Sequence, residues 1–168
     1  DGLERITQYA YDAWGRMEQT TLPDNTRVIR DFLQTSSAEL PTRLRVLVEG
    51  EDDPSNAIQL GRQEYDGLMR LTAVKLGPVD APRVEQYRYE PGTMQIKQRI
   101  TPNSKIIDYE YTLSLTDQPV TIRTPEDANG ARYSFDLESA VITAAENSEG
   151  KRAYEYDSAG FLKGEEWK

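Results

Sequence analysis

The chain has 168 residues, 29 acidic against 20 basic side chains, a net charge of −9, and neither histidine nor cysteine. That composition removes Ser-His-Asp and Cys-His nucleophilic chemistry, the usual zinc sites, disulfides and thiol redox chemistry together. It also argues against a nucleic-acid surface or an anionic membrane as partner, since both are held by clustered Lys and Arg, and no apolar run approaches the roughly 20 residues that cross a bilayer.

From the N-terminus, Thr7, Tyr9 and Tyr11 alternate with Gln8 and Ala10, the period of two that a half-buried strand requires. Asp12 and Gly15 then supply a turn, the aspartate by accepting backbone N–H groups and the glycine by taking a positive φ. Asp24-Asn25 marks a second turn that leads into Val28 to Phe32, and Phe32 stands 21 residues after Tyr11. Thr35 to Leu60 interrupts the rhythm. Within it, Arg43 to Val48 reads as a strand with Leu44, Val46 and Val48 on one face, and Gly50 to Asn56 reads as an exposed acidic loop. Tyr65-Asp66 resumes the pattern. Tyr87, Tyr89 and Glu90 repeat it, with Gly92 in the turn and Met94 to Ile96 as the returning run. Asn103-Ser104 leads into Lys105 to Leu113, where Ile107, Tyr109, Tyr111 and Leu113 share one face and Ile106, Asp108, Glu110 and Thr112 the other. Val120 to Ile122 returns, Asn129-Gly130 marks the next turn, and Tyr133, Phe135 and Asp136 form the next marked strand. Leu137 to Glu146, with Ala140, Ala144 and Ala145, has the composition of a short helix, but the period requires a strand there. Asn147 to Gly150 turns the chain into Tyr154, Tyr156 and Asp157, and Gly160 closes the last turn.

All ten tyrosines thus belong to one pattern, Tyr-x-Tyr-Asp or a degenerate form of it. With the second aromatic as marker, positions 65, 89, 111, 135 and 156 lie 24, 22, 24 and 21 residues apart, the spacing of stacked supersecondary units. We therefore expect a single repeat region over residues 1–168, with copies near 9–12, 65–66, 87–90, 109–111, 133–136 and 154–157 and an insertion at about 35–60. Each unit is a β-hairpin, and a lone hairpin buries too little to offset its ordering entropy. The predicted fold is all-β, an antiparallel meander of stacked hairpins in a curved, open sheet whose exposed edges let the piece self-associate. The start at Asp1 and a copy running almost to Lys168 add the expectation that this is a fragment of something larger.

No catalytic, cofactor or metal residue is expected. Glu49, Glu51, Asp52 and Asp53 lack the alternating ligand spacing and turn glycine of a calcium loop. Asp108 and Glu110 could form a glycosidase pair in principle, but their place on the wet strand face reads as surface charge. Tyrosines left exposed could stack on carbohydrate; the regular alternation favours packing.

Tyr9-x-Tyr11-Asp12-x-x-Gly15-Arg16-Met17 and Tyr154-x-Tyr156-Asp157-x-x-Gly160-Phe161-Leu162 resemble the signature of the Rhs, or YD-repeat, family, and Tyr65-Asp66-Gly67-Leu68-Met69-Arg70 is similar, with Met69 in place of the usual glycine. Leu40-Pro41-Thr42 and Leu60-Gly61-Arg62-Gln63-Glu64-Tyr65 resemble more narrowly the insecticidal toxin complex (Tc) branch. The resemblance implies a β-strip that spirals into a hollow bacterial shell around a C-terminal toxin polypeptide, secreted or at the cell surface. The partners it implies are neighbouring repeats and the enclosed toxin. In related animal proteins the shell serves adhesion, which makes a carbohydrate-binding or adhesion module the alternative. The family's self-cleaving aspartate motif has no counterpart after Tyr156.

Overall fold

The computed structural model describes residues 5–112 and 116–168; Leu113, expected to share the face of Tyr109 and Tyr111, lies outside the described residues. The fold is all-β and antiparallel. Its strands are β1 (Gln8–Tyr11), β2 (Met17–Thr21), β3 (Arg27–Phe32), β4 (Pro41–Leu47), β5 (Ile58–Tyr65), β6 (Leu71–Leu76), β7 (Arg83–Tyr89), β8 (Ile96–Ile100), β9 (Ile106–Tyr111), β10 (Pro119–Thr124), β11 (Asp127–Phe135), β12 (Ile142–Asn147), β13 (Gly150–Tyr156) and β14 (Leu162–Trp167). One 3₁₀ turn, Pro54–Asn56, is capped by the Asp53 carboxylate. The strand order is the chain order and does not close on itself.

The chain divides into two compact units, Asp1–Glu85 and Gln86–Lys168. The first carries β1 to β6. The second begins inside β7 and runs through β14. Inside each unit every strand is hydrogen-bonded to its neighbours in sequence, so both are meanders of consecutive hairpins.

The apolar core is thin. Among the described residues the buried hydrophobic side chains are Phe32, Leu47, Ala73 and Ala144, and most other apolar residues of the strands are half-buried on a single sheet. Among the described residues neither unit has a second layer, and there stability rests on cross-strand pairs and ladder bonds.

Three local readings change. The Asn129-Gly130 turn is not where the chain reverses: β10 and β11 meet at Thr124 and Asp127, and Gly130 sits inside β11 at φ 72°. Its N–H is taken by the Asp127 side chain, so the glycine accommodates a bulge. In β4 the deeply buried side chain is Leu47, at 1% exposure, while Leu44 and Val48 are exposed. β4 pairs with β3 in unbroken register from Arg43 to Leu47, and the slip against β5 leaves its extra residue, Leu60, on β5, so the alternation of Leu44, Val46 and Val48 holds but theirs is not the face that is deeply buried. The return strand after Tyr89 begins at Ile96, and Met94 is left exposed in the turn. Leu137 to Glu146 is not helical; its second half enters β12.

Candidate functional site

The second aromatic of each motif occupies one geometric position. Tyr11 pairs with Met17, Phe32 with Pro41, Tyr65 with Leu71, Tyr89 with Ile96, Tyr111 with Pro119, Phe135 with Ile142 and Tyr156 with Leu162. In each hairpin the register slips by one residue beside that pair, leaving Glu18, Thr42, Thr72, Lys97, Val120, Thr143 or Lys163 as the extra residue of a bulge. The marker is therefore a register pin as well as a packing group. Two of the bulged threonines close the slip themselves: Thr42 Oγ1 donates to the Asp31 carbonyl at 3.2 Å and Thr72 Oγ1 to that of Glu64 at 3.1 Å.

The acidic residue after the marker builds the turn. Asp12 N–H donates to the Arg16 carbonyl and Gly15 N–H to the Asp12 carbonyl; Asp66 with Arg70 and Met69, and Asp157 with Phe161 and Gly160, repeat both bonds. The Oδ1 of each aspartate accepts two further N–H groups, from Trp14 and Arg16, Leu68 and Arg70, or Ala159 and Phe161. The residue before the exit takes positive φ: Gly15 (76°), Met69 (60°) and Gly160 (84°). This is the three-residue hairpin loop, a type I turn followed by a left-handed residue. The loops after Tyr89 and Phe135 are one residue longer, with Glu90 N–H bonded to Gln95 and Asp136 N–H to Val141, and Gly92 (70°) and Ala140 (56°) in the left-handed region. Asp136 accepts from Glu138 and from the Ser139 backbone and hydroxyl.

These contacts set the carboxylates. Desolvation acts to raise Asp12, but the Arg16 N–H and guanidinium and the Trp14 N–H hold it below the usual carboxylate range. The Arg70 side chain, with the Arg70 and Leu68 N–H groups, does the same for Asp66, and the Ser139 backbone and hydroxyl with the Glu138 N–H do so for Asp136.

The tyrosine hydroxyls link hairpins. Tyr65 Oη lies 3.1 Å from the carbonyl oxygen of Pro41, the residue opposite the previous marker, Phe32, and 2.7 Å from the Gln63 amide oxygen, and its single proton is shared between these two acceptors. Tyr111 Oη donates to the Ile96 carbonyl at 3.0 Å, and Ile96 lies opposite Tyr89. Burial raises the phenol of both. The first aromatics Tyr87, Tyr109, Tyr133 and Tyr154 are half-buried on their strands. Tyr9 and Tyr11 differ, at 55% and 56% exposure. These two rings, on β1, are ones that the packing favoured by the alternation does not cover.

Sequence reasoning missed Arg16, which is 4% exposed. Its Nε and Nη2 both meet Asp12 Oδ2 at 2.7 Å, Nη1 donates to the carbonyls of Leu33, Ser36 and Ala38, and the guanidinium lies 4.6 Å from the centres of both the Trp14 and Phe32 rings. It thereby ties the β1–β2 turn to the 33–40 loop. Arg70 grips Asp66 the same way, at 2.7 Å through Nε and Nη2. The available signal was an arginine four residues after the aspartate, present in these two copies and replaced by Phe161 in the last.

The acidic candidates are occupied by the fold. Glu51 accepts from Asp53 N–H and the Asn56 amide, Asp53 caps the 3₁₀ turn, and Asp52 meets Arg27 at 3.2 Å. Among the described residues no group of three or more acidic side chains is placed to hold a metal ion. Asp108 accepts from Gln98 at 2.7 Å, and Glu110 is gripped by Arg123, which lowers its carboxyl below the usual range. Glu110 is therefore not the raised-pKa acid that glycoside cleavage needs. In the first unit Leu44, Leu60, Val74 and Leu76 line an open apolar groove of about 400 Å³ floored by Gly61. No described helix is long and apolar enough to cross a membrane.

No family model and no curated protein matches this chain. Solved structures do. A crystal structure of TcdB2-TccC3-Cdc42 superposes with a TM-score of 0.69 at 15% identity, covering 98% of this chain and 9% of that one. A TcdB2-TccC3 structure aligns over 96% of this chain at 11% identity with a TM-score of 0.36. By the first of these the chain is similar in fold to part of a Tc toxin assembly, and it spans about a tenth of the length of the chain it matches.

Proposed function

We propose that this chain is a wall segment of a bacterial Rhs/Tc-type toxin shell: a structural run of YD repeats that helps to enclose a C-terminal toxin polypeptide and performs no chemistry of its own. The observation that carries the reading is the repeated hairpin, seven times the same marker position and bulge, within a fold similar to TcdB2-TccC3-Cdc42. A sheet of that kind extends by adding hairpins and needs no catalytic residue, and the carboxylates with the best catalytic claim are engaged in an ion pair (Glu110), a side-chain hydrogen bond (Asp108) and a turn cap (Asp53). The partners in this reading are the adjoining repeats and the enclosed polypeptide, and the parent protein is secreted or displayed at the cell surface. The repeat region is residues 1–168, and its working residues are the markers and turn formers Tyr11, Asp12, Gly15, Tyr65, Asp66, Tyr89, Tyr111, Phe135, Asp136, Tyr156, Asp157 and Gly160.

The test is protease protection in the parent protein. A segment following the repeats should resist digestion while the shell is folded and become cleavable when it is opened by denaturant. Equal cleavage in both states rejects the enclosing role.

A second reading, a carbohydrate-binding or adhesion module, is favoured by the exposed rings of Tyr9, Tyr11 and Trp14 at one end of the sheet. Glycan-array binding abolished by Tyr9→Ala or Tyr11→Ala would select it, and silence across the array would leave the wall.

A further inference from the structure

Hairpins join by a fixed rule. At all five junctions inside the two units, the residue two places after a marker's partner pairs with the residue three places before the next marker. The pairs are Gln19 with Ile29, Arg43 with Arg62, Gln98 with Asp108, Thr121 with Arg132 and Ala144 with Ala153. Markers and loops vary while this offset does not, so the backbone bulge beside each marker sets it and the junction side chains are free to vary. Four of these pairs carry one charge or none. The pair Arg43–Arg62 sets two cations opposite one another, and nothing in the register requires it.

Directly opposed residues share a face of the sheet, and like charges in that position destabilise it. Arg62 meets another cation on its other side, Lys75, so Arg43, Arg62 and Lys75 form a row across β4, β5 and β6. In the second unit, charged residues placed opposite one another are of opposite sign: Asp108 with Arg123, Arg132 with Glu146, and Glu146 with Lys151. The nearby acids do not cancel the row. Glu64 Oε1 is shared between Lys75 Nζ at 2.7 Å and Arg62 Nη2 at 3.3 Å. Asp31, opposite Arg43 on β3, gives its Oδ1 to Arg45 at 2.6 Å. Among the described residues Arg43 has no ion pair, so four cations share two carboxylates.

Arg43, Arg45 and Arg62 also line one open hollow of about 560 Å³, together with Leu33 and Gln34 of the loop that follows β3. The Nε of Arg45 is buried without an acceptor. A like-charge row, an unused donor and a concavity thus coincide in the first unit, and each is relieved by the same thing, an oxyanion.

We propose that this hollow binds a phosphate dianion, free or as a monoester, between Arg43 and Arg62, with Arg45 as a further donor. A phosphomonoester carries about two negative charges near neutral pH, which matches the two cations left unbalanced. Guanidinium forks take phosphate oxygens in pairs. Two forks arriving from neighbouring strands call for a tetrahedral group, since the two coplanar oxygens of a carboxylate serve one fork. The hollow has the volume of a small-molecule site, so it admits an organic substituent on the phosphate. The rest of the chain is acidic and repels an extended polyanion, which keeps the ligand small. This binding goes beyond the wall reading and does not depend on it.

Phosphorus NMR titration of the whole chain with inorganic phosphate and with phenyl phosphate, at an ionic strength fixed by chloride, tests it. Saturable binding is expected, and Arg43→Gln and Arg62→Gln should each weaken it at least about tenfold, the worth of one charge-assisted contact. Lys163→Gln, in the other unit, should leave it unchanged. Tighter binding of phenyl phosphate assigns the site to an ester, and equal binding assigns it to the free ion. Urea unfolding adds a readout that a purely structural arginine would not give. Without phosphate, Arg43→Gln removes a like-charge opposition and should be at least as stable as the parent. Added phosphate should raise the unfolding midpoint of the parent and not of the variant. The proposal is overturned by absence of saturable binding of both probes, by phosphate stabilisation that survives Arg43→Gln and Arg62→Gln, or by loss of stability in Arg43→Gln before any phosphate is added.

Discussion

Replacing Gly130 by alanine tests whether the bulge inside β11 is as tight as its geometry requires. The ladder between β10 and β11 slips from the pair Ile122–Ala131 to Thr124–Asp127, and Gly130 absorbs the slip at φ 72°. A Cβ there would lie 2.5 Å from the Ile122 carbonyl oxygen, 2.8 Å from Arg123 Cγ and 3.1 Å from the Ile122 carbonyl carbon. The left-handed backbone alone costs an L-residue roughly 1–2 kcal/mol. The arginine stem can swing aside, but a carbonyl cannot move without its strand, which adds roughly 1–3 kcal/mol of overpacking. Gly130→Ala should therefore lose about 2–5 kcal/mol. Gly160 supplies the control: its φ is 84° and nothing stands within 4 Å of an added Cβ, so Gly160→Ala should lose only the first part, about 1–2 kcal/mol. Urea unfolding followed by circular dichroism gives both, provided the slope with denaturant is unchanged. If Gly130→Ala is no more destabilising than Gly160→Ala, the close approach to Ile122 is not a feature of the folded chain.

Met69→Gly should gain about 0.5–1 kcal/mol in the same assay, since Met69 holds φ 60° in a glycine position and the relief exceeds the entropy a glycine adds; unchanged stability would remove the strain from the argument. Arg16→Lys should lose about 2–4 kcal/mol, because an ammonium cannot serve Asp12 and the three loop carbonyls from between two rings, and a neutral outcome would show the clasp to be decorative. Asp12, Asp66 and Asp136 have folded pKa values below their unfolded ones, so their contribution is complete above the unfolded value near 4 and fades as the pH falls through the folded values. Stability measured downward from pH 5 should therefore drop, and Asp66→Asn should make the drop shallower; a parallel curve for the variant would contradict the assignment. Tyr65 and Tyr111 are raised, so their contribution is complete below the unfolded value near 10 and is lost as the pH climbs through the folded values. Tyr111→Phe should flatten the alkaline limb of the same profile.

How far the sequence could be read depended on where each constraint is written. The strands beginning at Gln8, Arg83, Ile106 and Gly150 were legible because tyrosines at alternate positions mark one face over a short run. The loops at Asp12, Asp66 and Asp157 were legible because a type I turn with a left-handed exit demands an acceptor first and a permissive residue last. The Asn129-Gly130 turn was misplaced for an instructive reason: a left-handed glycine at a hairpin tip and one at a bulge have the same backbone need, and nothing local distinguishes them. The clasp at Arg16 was invisible because three of its acceptors are carbonyls in the 33–40 loop, and carbonyls carry no sequence signature. Leu47 was missed for a different reason. It shares its face of β4 with Arg43 and Arg45, so composition pointed to the opposite face, that of Leu44, Val46 and Val48.

The same distinction explains why the motif degenerates without the sheet losing its regularity. Phe32 and Phe135 hold the marker position without a hydroxyl, and Leu33 and Thr112 follow Phe32 and Tyr111 where an acidic residue follows the other markers, yet their hairpins slip register at the same place as the others. Tyrosine adds a bond to the preceding strand, as Tyr65 and Tyr111 show, and aspartate adds a rigid turn, but the offset at the next junction survives without either. What must persist is the backbone slip, and each hairpin needs only enough of the side-chain set to hold it. A protein built this way distributes its specification over many weak pins, so single motif losses should cost stability locally while the register of distant hairpins stays intact. Within each unit the continuity of the ladder then depends on the bulge that fixes each offset and not on any single motif residue.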